Sequence, residues 1–338
     1  MTTLYEITPR DAVEEYLDDR ATEDVSQATL KSHGYRLQHF IEWAKEEGIE
    51  NMNNLNGRNL QQYRRWRKNT GNLNNVTWHT QMTTFRVFIN WCEDYQAVTP
   101  DLSQKVRVPE LKRGEDKRDA FLGDEEAHAI IEYLTKYKYA SVQHAVFYTM
   151  WRTGARVGGV HALDVDDYDP DEQVLEIRHR PESGTPLKNA SNGERDVFLN
   201  NTTCELLNDY IRDVRHEKCD ESGREPLFTT THGRAHQSTL RDWIYRLTRP
   251  CTYTSCPHNR EPDDCEATER WGSASKCPSS VNPHMVRKGS ITYWLNRDVP
   301  EEQIGQRANV QADVLELHYD KRTKREKMSQ RKDYFNRE

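Results

Sequence analysis

Apolar positions recur at helical spacing over most of the chain. Leu30, Leu37, Phe40, Ile41 and Ala44 fall on one face of a helix that stops near Gly48. Met82, Phe85, Ile89 and Cys92 do the same within VTWHTQMTTFRVFINWCEDY. Ahead of both, Thr8-Pro9-Arg10-Asp11 reads as a helix start: a Thr cap, proline at the first helical position and an acid three residues after the cap. Between the two apolar faces lies NLQQYRRWRKNT, with Arg64, Arg65, Arg67 and Lys68 around Trp66. Residues 1–105 therefore predict a small all-helical domain. Residues 106–120 are charged, carry a proline and lack periodicity, so they read as a linker.

The helical pattern resumes in GDEEAHAIIEYL and SVQHAVFYTMWRTG. VLEIRHR (174–180) and RDVFLN (195–200) alternate as strands do and bracket a polar loop, which predicts a long-looped hairpin. CELLNDYIRDVR, STLRDWIYRLTR (with Ser238 as its cap) and HMVRKGSITYWLNR read as further helices, and the basic tail YDKRTKREKMSQRKDYFNRE as another. The fold class is mainly α: a helical domain, then a helical domain at 121–338 with a small antiparallel sheet.

Composition adjusts this picture only slightly. The chain has 338 residues, 35% of them hydrophobic, and no run of about 18 apolar residues, so no membrane span is expected. The N-terminus MTTLYEITPRD lacks the apolar core of a secretory signal, which points to the cytoplasm, where seven cysteines stay reduced. The net charge is −7 and the 48 cations divide into 32 Arg and 16 Lys. An acidic, lysine-poor surface suits a salt-loving cytoplasm, with an ordinary acidic protein as the alternative. An acidic balance also argues against a nucleic-acid partner, but here the basic residues are clustered.

Candidate chemistry lies in the second half. TGARVGG places Arg156 just past a core helix, and TPLKNASNGERDVFL places Lys188 in the hairpin loop. PHMVRKG sets His284 and Arg287 one helical turn apart, and LELHYDKR places Tyr319 before the basic tail. Each alone reads as a surface charge or a packing residue; the ordered set of Arg, Lys, His-x-x-Arg and Tyr does not.

With these residues and motifs the chain resembles the tyrosine recombinases of the phage-integrase type over nearly its whole length. TGARVGGVHALDVDDYD resembles the family's Thr-Gly-x-Arg segment, and TFRVFINWCEDY the last helix of its core-binding domain. The resemblance implies a SAM-like helical core-binding domain and an α+β catalytic domain with a β-hairpin. It also implies site-specific cutting and rejoining of double-stranded DNA through a covalent 3′-phosphotyrosine, without ATP and with no cofactor for catalysis. On that pattern Tyr319 attacks, Arg156 and Arg287 fork onto the phosphate oxygens, His284 assists as base or donor, and Lys188 protonates the leaving 5′-oxygen. Four protomers would assemble on two DNA sites, with Arg64, Arg65, Arg67, Lys68 and Arg86 as candidate DNA-backbone contacts. Two departures stand out. Gly159 occupies the place of the family's acid three residues after the first Arg. Where the family has His or Trp before the Tyr, the candidate is Asn309, with Gln306 or Arg307 as alternatives and His318 as a compensating neighbour.

Cys251, Cys256, Cys265 and Cys277 are spaced C-x4-C-x8-C-x11-C in an insertion at 251–280, ahead of His-x-x-Arg. Four thiols in so polar a segment suit a structural zinc clip, with free thiols or oxidised disulfides as alternatives. Cys92, Cys204 and Cys219 read as packed or incidental. Other readings of the whole are a non-cleaving DNA-binding regulator or decayed integrase of the same fold, and a topoisomerase with the same chemistry.

Overall fold

The computed structural model describes residues 4–23, 25–112, 114–115, 120–319, 325 and 328, apart from the side chains of residues 316–318. The chain divides into two units, Met1–Arg118 and Asp119–Glu338. Of the predicted basic helix at the C-terminus only Tyr319, Arg325 and Met328 are described; its other residues and the side chain of His318 lie outside the described residues.

The first unit is built from α1 (Pro9–Thr22), α2 (Gln27–Glu46), α3 (Gly57–Thr70) and α4 (Asn75–Asp94). Thr8 caps α1 as the sequence predicts, its hydroxyl accepting from the Asp11 amide at 3.2 Å. Leu37, Phe40, Trp43 and Ala44 of α2 share one core with Met82, Phe85, Phe88, Ile89 and Cys92 of α4, all buried. Leu30 and Ile41 are only partly buried. Tilted rings fill the centre: Phe85 lies 4.6 Å from Tyr63 and 5.0 Å from Phe40, centroid to centroid.

The expected linker does not begin at 106. Val106 is buried, and the stretch 105–110 lies along α3 and α4 as a strap. An extended segment without a sheet partner leaves its carbonyls unpaired, and here side chains meet them. Gln61 Nε2 donates to Lys105 O (3.0 Å), Arg64 Nε to Arg107 O (2.9 Å) and Asn75 Nδ2 to Glu110 O (3.3 Å). Arg86 donates twice to Val106 O, at 3.1 and 2.6 Å. The helical unit therefore includes much of what periodicity alone assigns to a linker.

The second unit starts with α5 (Asp124–Tyr137), α6 (Val142–Thr153) and the short α7 (Val157–Ala162). A three-stranded antiparallel sheet follows, in order β1 (Tyr168–Asp169), β2 (Val174–Ile177) and β3 (Arg195–Phe198). β2 and β3 are the predicted hairpin; β1, two residues long, is too short to show a period. Then come α8 (Asn201–Asp213), a small hairpin of β4 (Thr229–Thr230) and β5 (Gly233–Arg234), and α9 (Gln237–Leu247). The α9 cap is His236, whose ring accepts from the Ser238 amide at 3.3 Å, and not Ser238 itself. The insertion holds a four-residue helix, α10 (Glu266–Glu269), among 3-10 turns, and α11 (Pro283–Leu295), α12 (Glu301–Ala308) and α13 (Ala312–His318) follow it.

Helix α6 is the hub: Ala145, Val146, Phe147, Met150 and Trp151 are all buried in the core of this unit. Helix α11 approaches so closely that a Cβ on Gly289 would stand 2.2 Å from Leu122 O and 3.0 Å from the Trp151 ring. Leu122 also donates its amide to Met285 O at 3.2 Å. A carbonyl in the backbone cannot swing away as a side-chain end can. Gly289→Ala is therefore expected to cost about 2 kcal/mol from overpacking, read as a lowered midpoint in urea; an unchanged midpoint would show that α11 can back away.

Candidate active site

Four elements converge at the end of α6. Gly154 closes that helix with φ +62°, a left-handed cap for which glycine carries no Cβ penalty. The reversal makes Arg156 the N-cap of α7. Arg287 comes from α11, Asn309 from the left-handed C-cap of α12, and Tyr319 from the end of α13.

Arg287 is fully buried. Its Nη1 donates to Gly154 O (2.5 Å) and Ala308 O (2.6 Å) and its Nη2 to Asn309 O (3.4 Å), and Tyr319 lies near enough to act electrostatically on it. Arg156 Nη1 donates to Asn309 O at 3.1 Å and to its Oδ1 at 3.4 Å. The Tyr319 ring is buried among Ile291, Leu295, Ile304, Ala308 and Leu315, and its carbonyl accepts from Thr292 Oγ1 at 3.3 Å. Arg156, Arg287, Asn309 and Tyr319, up to 163 positions apart in the chain, thus form one group. Lys188 is exposed and lines a small pocket with Arg156, Gly159 and Arg195. His284 is exposed one turn before Arg287.

Sequence reasoning passed over Arg195. Periodicity could have found it: Val197 and Leu199 face the core, so alternation turns Arg195 inward as well, beside Ile177 on β2. An inward charge at the mouth of a hairpin is the anomaly to notice. Arg195 Nε donates to Arg307 O (2.7 Å) and Nη1 to Gly193 O (2.8 Å). Burial first, then the charges of Arg287, Arg156 and Arg307, hold its pKa down to about 9. Burial and Arg156 lower that of Arg287 to about 10, with Tyr319 acting in the opposite sense. Arg156 is lowered too, again chiefly by burial. Guanidiniums gathered out of water and depressing one another make a site that favours an anion.

Gly159, at the place of the family's acid, is buried against Ile177. The acids that follow it are embedded instead. Asp164 accepts from Arg224 Nε and Arg234 Nη2, both at 2.6 Å, and Asp167 accepts from Arg180 Nη1 at 2.9 Å. Arg180 stands at the start of the Lys188 loop, so this buried network anchors the loop's base.

Most of the candidate DNA contacts in the first unit face inward or serve the fold. Arg67 is buried, Arg64 and Arg86 hold the strap, and Lys68 Nζ donates to Leu73 O at 2.5 Å. Arg64 and Lys68 also stack on Trp78, at 4.3 and 4.8 Å. Arg65 and Arg86 are the exposed members of the five.

In the insertion, Cys277 is buried and Cys251, Cys256 and Cys265 are partly so. Cys256, Cys277 and Cys265 lie near enough to act electrostatically on Cys251, whose pKa is raised mainly by burial. Among the described residues, however, no three His, Cys, Asp or Glu side chains are gathered so as to hold a metal ion. The insertion is fastened by Arg249 Nη1 to Ala267 O (2.8 Å) and by Arg246 stacked 3.5 Å over exposed Trp271. Among the described residues no helix is long and apolar enough to cross a membrane.

Residues 13–95 match the family model for the phage integrase N-terminal SAM-like domain. No curated protein sequence matches the chain. Among solved structures, the Tn1549 transposon integrase in complex with a circular intermediate DNA is 10% identical, with 97% of this chain and 99% of that one aligned and a TM-score of 0.69. A lambda integrase dimer bound to a COC′ core site is 12% identical over 98% of this chain and 79% of that one, with a TM-score of 0.60. The N-terminal domain of a phage integrase/site-specific recombinase from Haloarcula marismortui is 34% identical; it covers 31% of this chain and 99% of its own, with a TM-score of 0.30. The fold of both units is that of the integrases. With the first domain matched by sequence as well, the chain belongs to the tyrosine recombinase family of the phage-integrase type.

Proposed function

We propose that the protein is a site-specific DNA recombinase that cuts and rejoins double-stranded DNA through a 3′-phosphotyrosine on Tyr319. The observation that carries this reading is the group of Arg156, Arg287 and Tyr319: a phenol near enough to two anion-seeking guanidiniums to act on both electrostatically. Tyr319 Oη attacks the phosphorus as the bond to the 5′-oxygen breaks. Arg156 and Arg287 stabilise the charge that builds on the nonbridging oxygens, where a forked donor outperforms an ammonium. His284 accepts the phenol proton, and Lys188 supplies the proton that the leaving oxygen needs. The phosphotyrosine conserves the energy of the broken bond, so a second strand reseals it without ATP. In the same reading, four protomers act on two sites in a salt-rich cytoplasm, in keeping with the acidic, arginine-rich composition.

The test is covalent trapping. The protein is incubated, at low and high salt, with nicked duplexes tiled across the DNA flanking its gene, and run on a denaturing gel. A DNA-linked band whose proteolytic fragment carries the nucleotide on Tyr319 supports the reading. Binding without an adduct under every condition favours a DNA-binding regulator of the same fold, for which the absent acid at Gly159 is the specific motive.

The same proposal gives the insertion a zinc ion that draws Cys251, Cys256, Cys265 and Cys277 together. Thiolate sulfurs are the donors that tetrahedral zinc takes in closed structural sites, and the ion would stiffen the approach to α11 with no part in the cleavage. One zinc per chain is expected by elemental analysis, lost from a Cys256→Ser/Cys277→Ser chain together with resistance of residues 251–280 to proteolysis. Unchanged protease resistance after chelation would sink the clip.

A further inference from the structure

Asn309 is the candidate for the position where the family pattern has an imidazole or indole, and the simplest substitution logic makes its amide a donor to phosphate. The geometry assigns it another task. Its Oδ1 accepts from Asn189 Nδ2 at 2.5 Å and from Arg156 Nη1 at 3.4 Å, and its Nδ2 donates to Asn192 O at 2.6 Å. Both ends of the amide are engaged within the chain. Asn189 is the residue next to Lys188, and Asn192 lies in the same loop. The Asn309 carbonyl meanwhile accepts from Arg156 (3.1 Å) and Arg287 (3.4 Å). A second rivet lies beside the first, in Arg195 joining Arg307 O to Gly193 O. Asn309 has φ +53°, a left-handed conformation that asparagine adopts with little strain and bulkier side chains adopt with more.

We infer that Asn309 is a positioning residue, a clasp that fixes the loop carrying Lys188 against Arg156 and so sets the leaving-group acid against the phosphate-binding arginines. The inference rests on the phosphotyrosine reading with Lys188 as that acid. It implies that Asn309 acts on one half of the reaction only. When the bond to the 5′-oxygen breaks, that oxygen must take a proton from Lys188. When sulfur replaces the bridging 5′-oxygen, the group departs as a stable thiolate and needs none.

The experiment compares single-turnover adduct formation on a nicked duplex with a bridging 5′-oxygen and on the same duplex with a bridging 5′-sulfur. Asn309→Gly keeps the left-handed backbone and removes the clasp; Asn189→Ala cuts the clasp from the loop side, so a folding defect at one position does not decide the matter. Lys188→Ala is the benchmark. Both clasp variants are expected to slow adduct formation on the oxygen duplex by about 10- to 100-fold, within the range of general acid catalysis. On the sulfur duplex they should recover most of that loss, as Lys188→Ala does. Equal losses on the two duplexes, or none on the oxygen duplex, would overturn the clasp and leave the phosphotyrosine reading intact. No adduct on either duplex with the unaltered chain would overturn that reading, and the clasp's role with it.

Discussion

Tyr319→Phe is expected to bind the nicked duplex as the unaltered chain does and to form no covalent adduct, a rate loss of about 10⁴-fold or more, as befits removal of a nucleophile. The change deletes a single oxygen. The ring keeps its place among Ile291, Leu295, Ile304 and Leu315, and Thr292 still donates to the backbone carbonyl at 319. What the fold loses is one hydroxyl beside Arg287, a polar group whose removal costs about 1–2 kcal/mol, so a thermal melt should fall by only a few degrees. The pairing of a nearly intact melt with a vanished adduct is the signature of a chemical role. An adduct that persists in the Phe chain would place the nucleophile elsewhere and leave Tyr319 as a packing residue.

Arg287 should behave in the opposite way, with stability and chemistry falling together. It is fully buried, and it answers the carbonyls of Gly154 and Ala308. Arg287→Ala leaves buried acceptors unpaired and opens a cavity, a loss of about 3–5 kcal/mol. At about 2–4 °C per kcal/mol for a unit of this size, the melt should drop by about 10 °C or more. Arg287→Lys is the more informative change. It keeps a cation in place but loses the fork that reaches Gly154, Ala308 and Asn309 together. Even where the Arg287→Lys chain retains most of its stability, it should lose about 10²–10³-fold in adduct formation, the usual cost of removing a preorganised donor to a developing charge. Near-normal cleavage by the Arg287→Lys chain would mean that Arg287 serves the architecture and that Arg156 and Arg195 suffice for the phosphate.

How much of this the sequence discloses depends on whether the signal is local. Helices α1, α2, α4, α6 and α11 are legible because their caps and apolar residues fall within one element. The order Arg156, Lys188, Arg287, Tyr319 is legible because the residue types follow a known chemical arrangement. The strap at 105–110 is not, because its order comes from donors on Gln61, Arg64, Asn75 and Arg86, 20 to 44 positions away, and an extended segment of this kind has no period of its own. For the same reason a cluster of arginines looks like a DNA-facing surface when several of its members are holding backbone. The role of Asn309 is hidden because three of its partners lie over 100 positions upstream. Arg195 is the intermediate case: its inward direction follows from Val197 and Leu199, but only once the core-facing side of β3 is known.

Concentrated salt should leave the strap of the first unit largely untouched. Arg64 and Arg86 grip carbonyl oxygens, which are dipoles and not ions, at hydrogen-bond range. Mobile ions screen the attraction between separated charges over a Debye length of about 3 Å at molar salt, but they compete poorly for short hydrogen bonds of this kind. A fastening built from arginine and backbone thus holds its shape across ionic strengths at which a lattice of surface ion pairs would slacken. The strap of the first unit is held by the part of its positive charge that brine affects least.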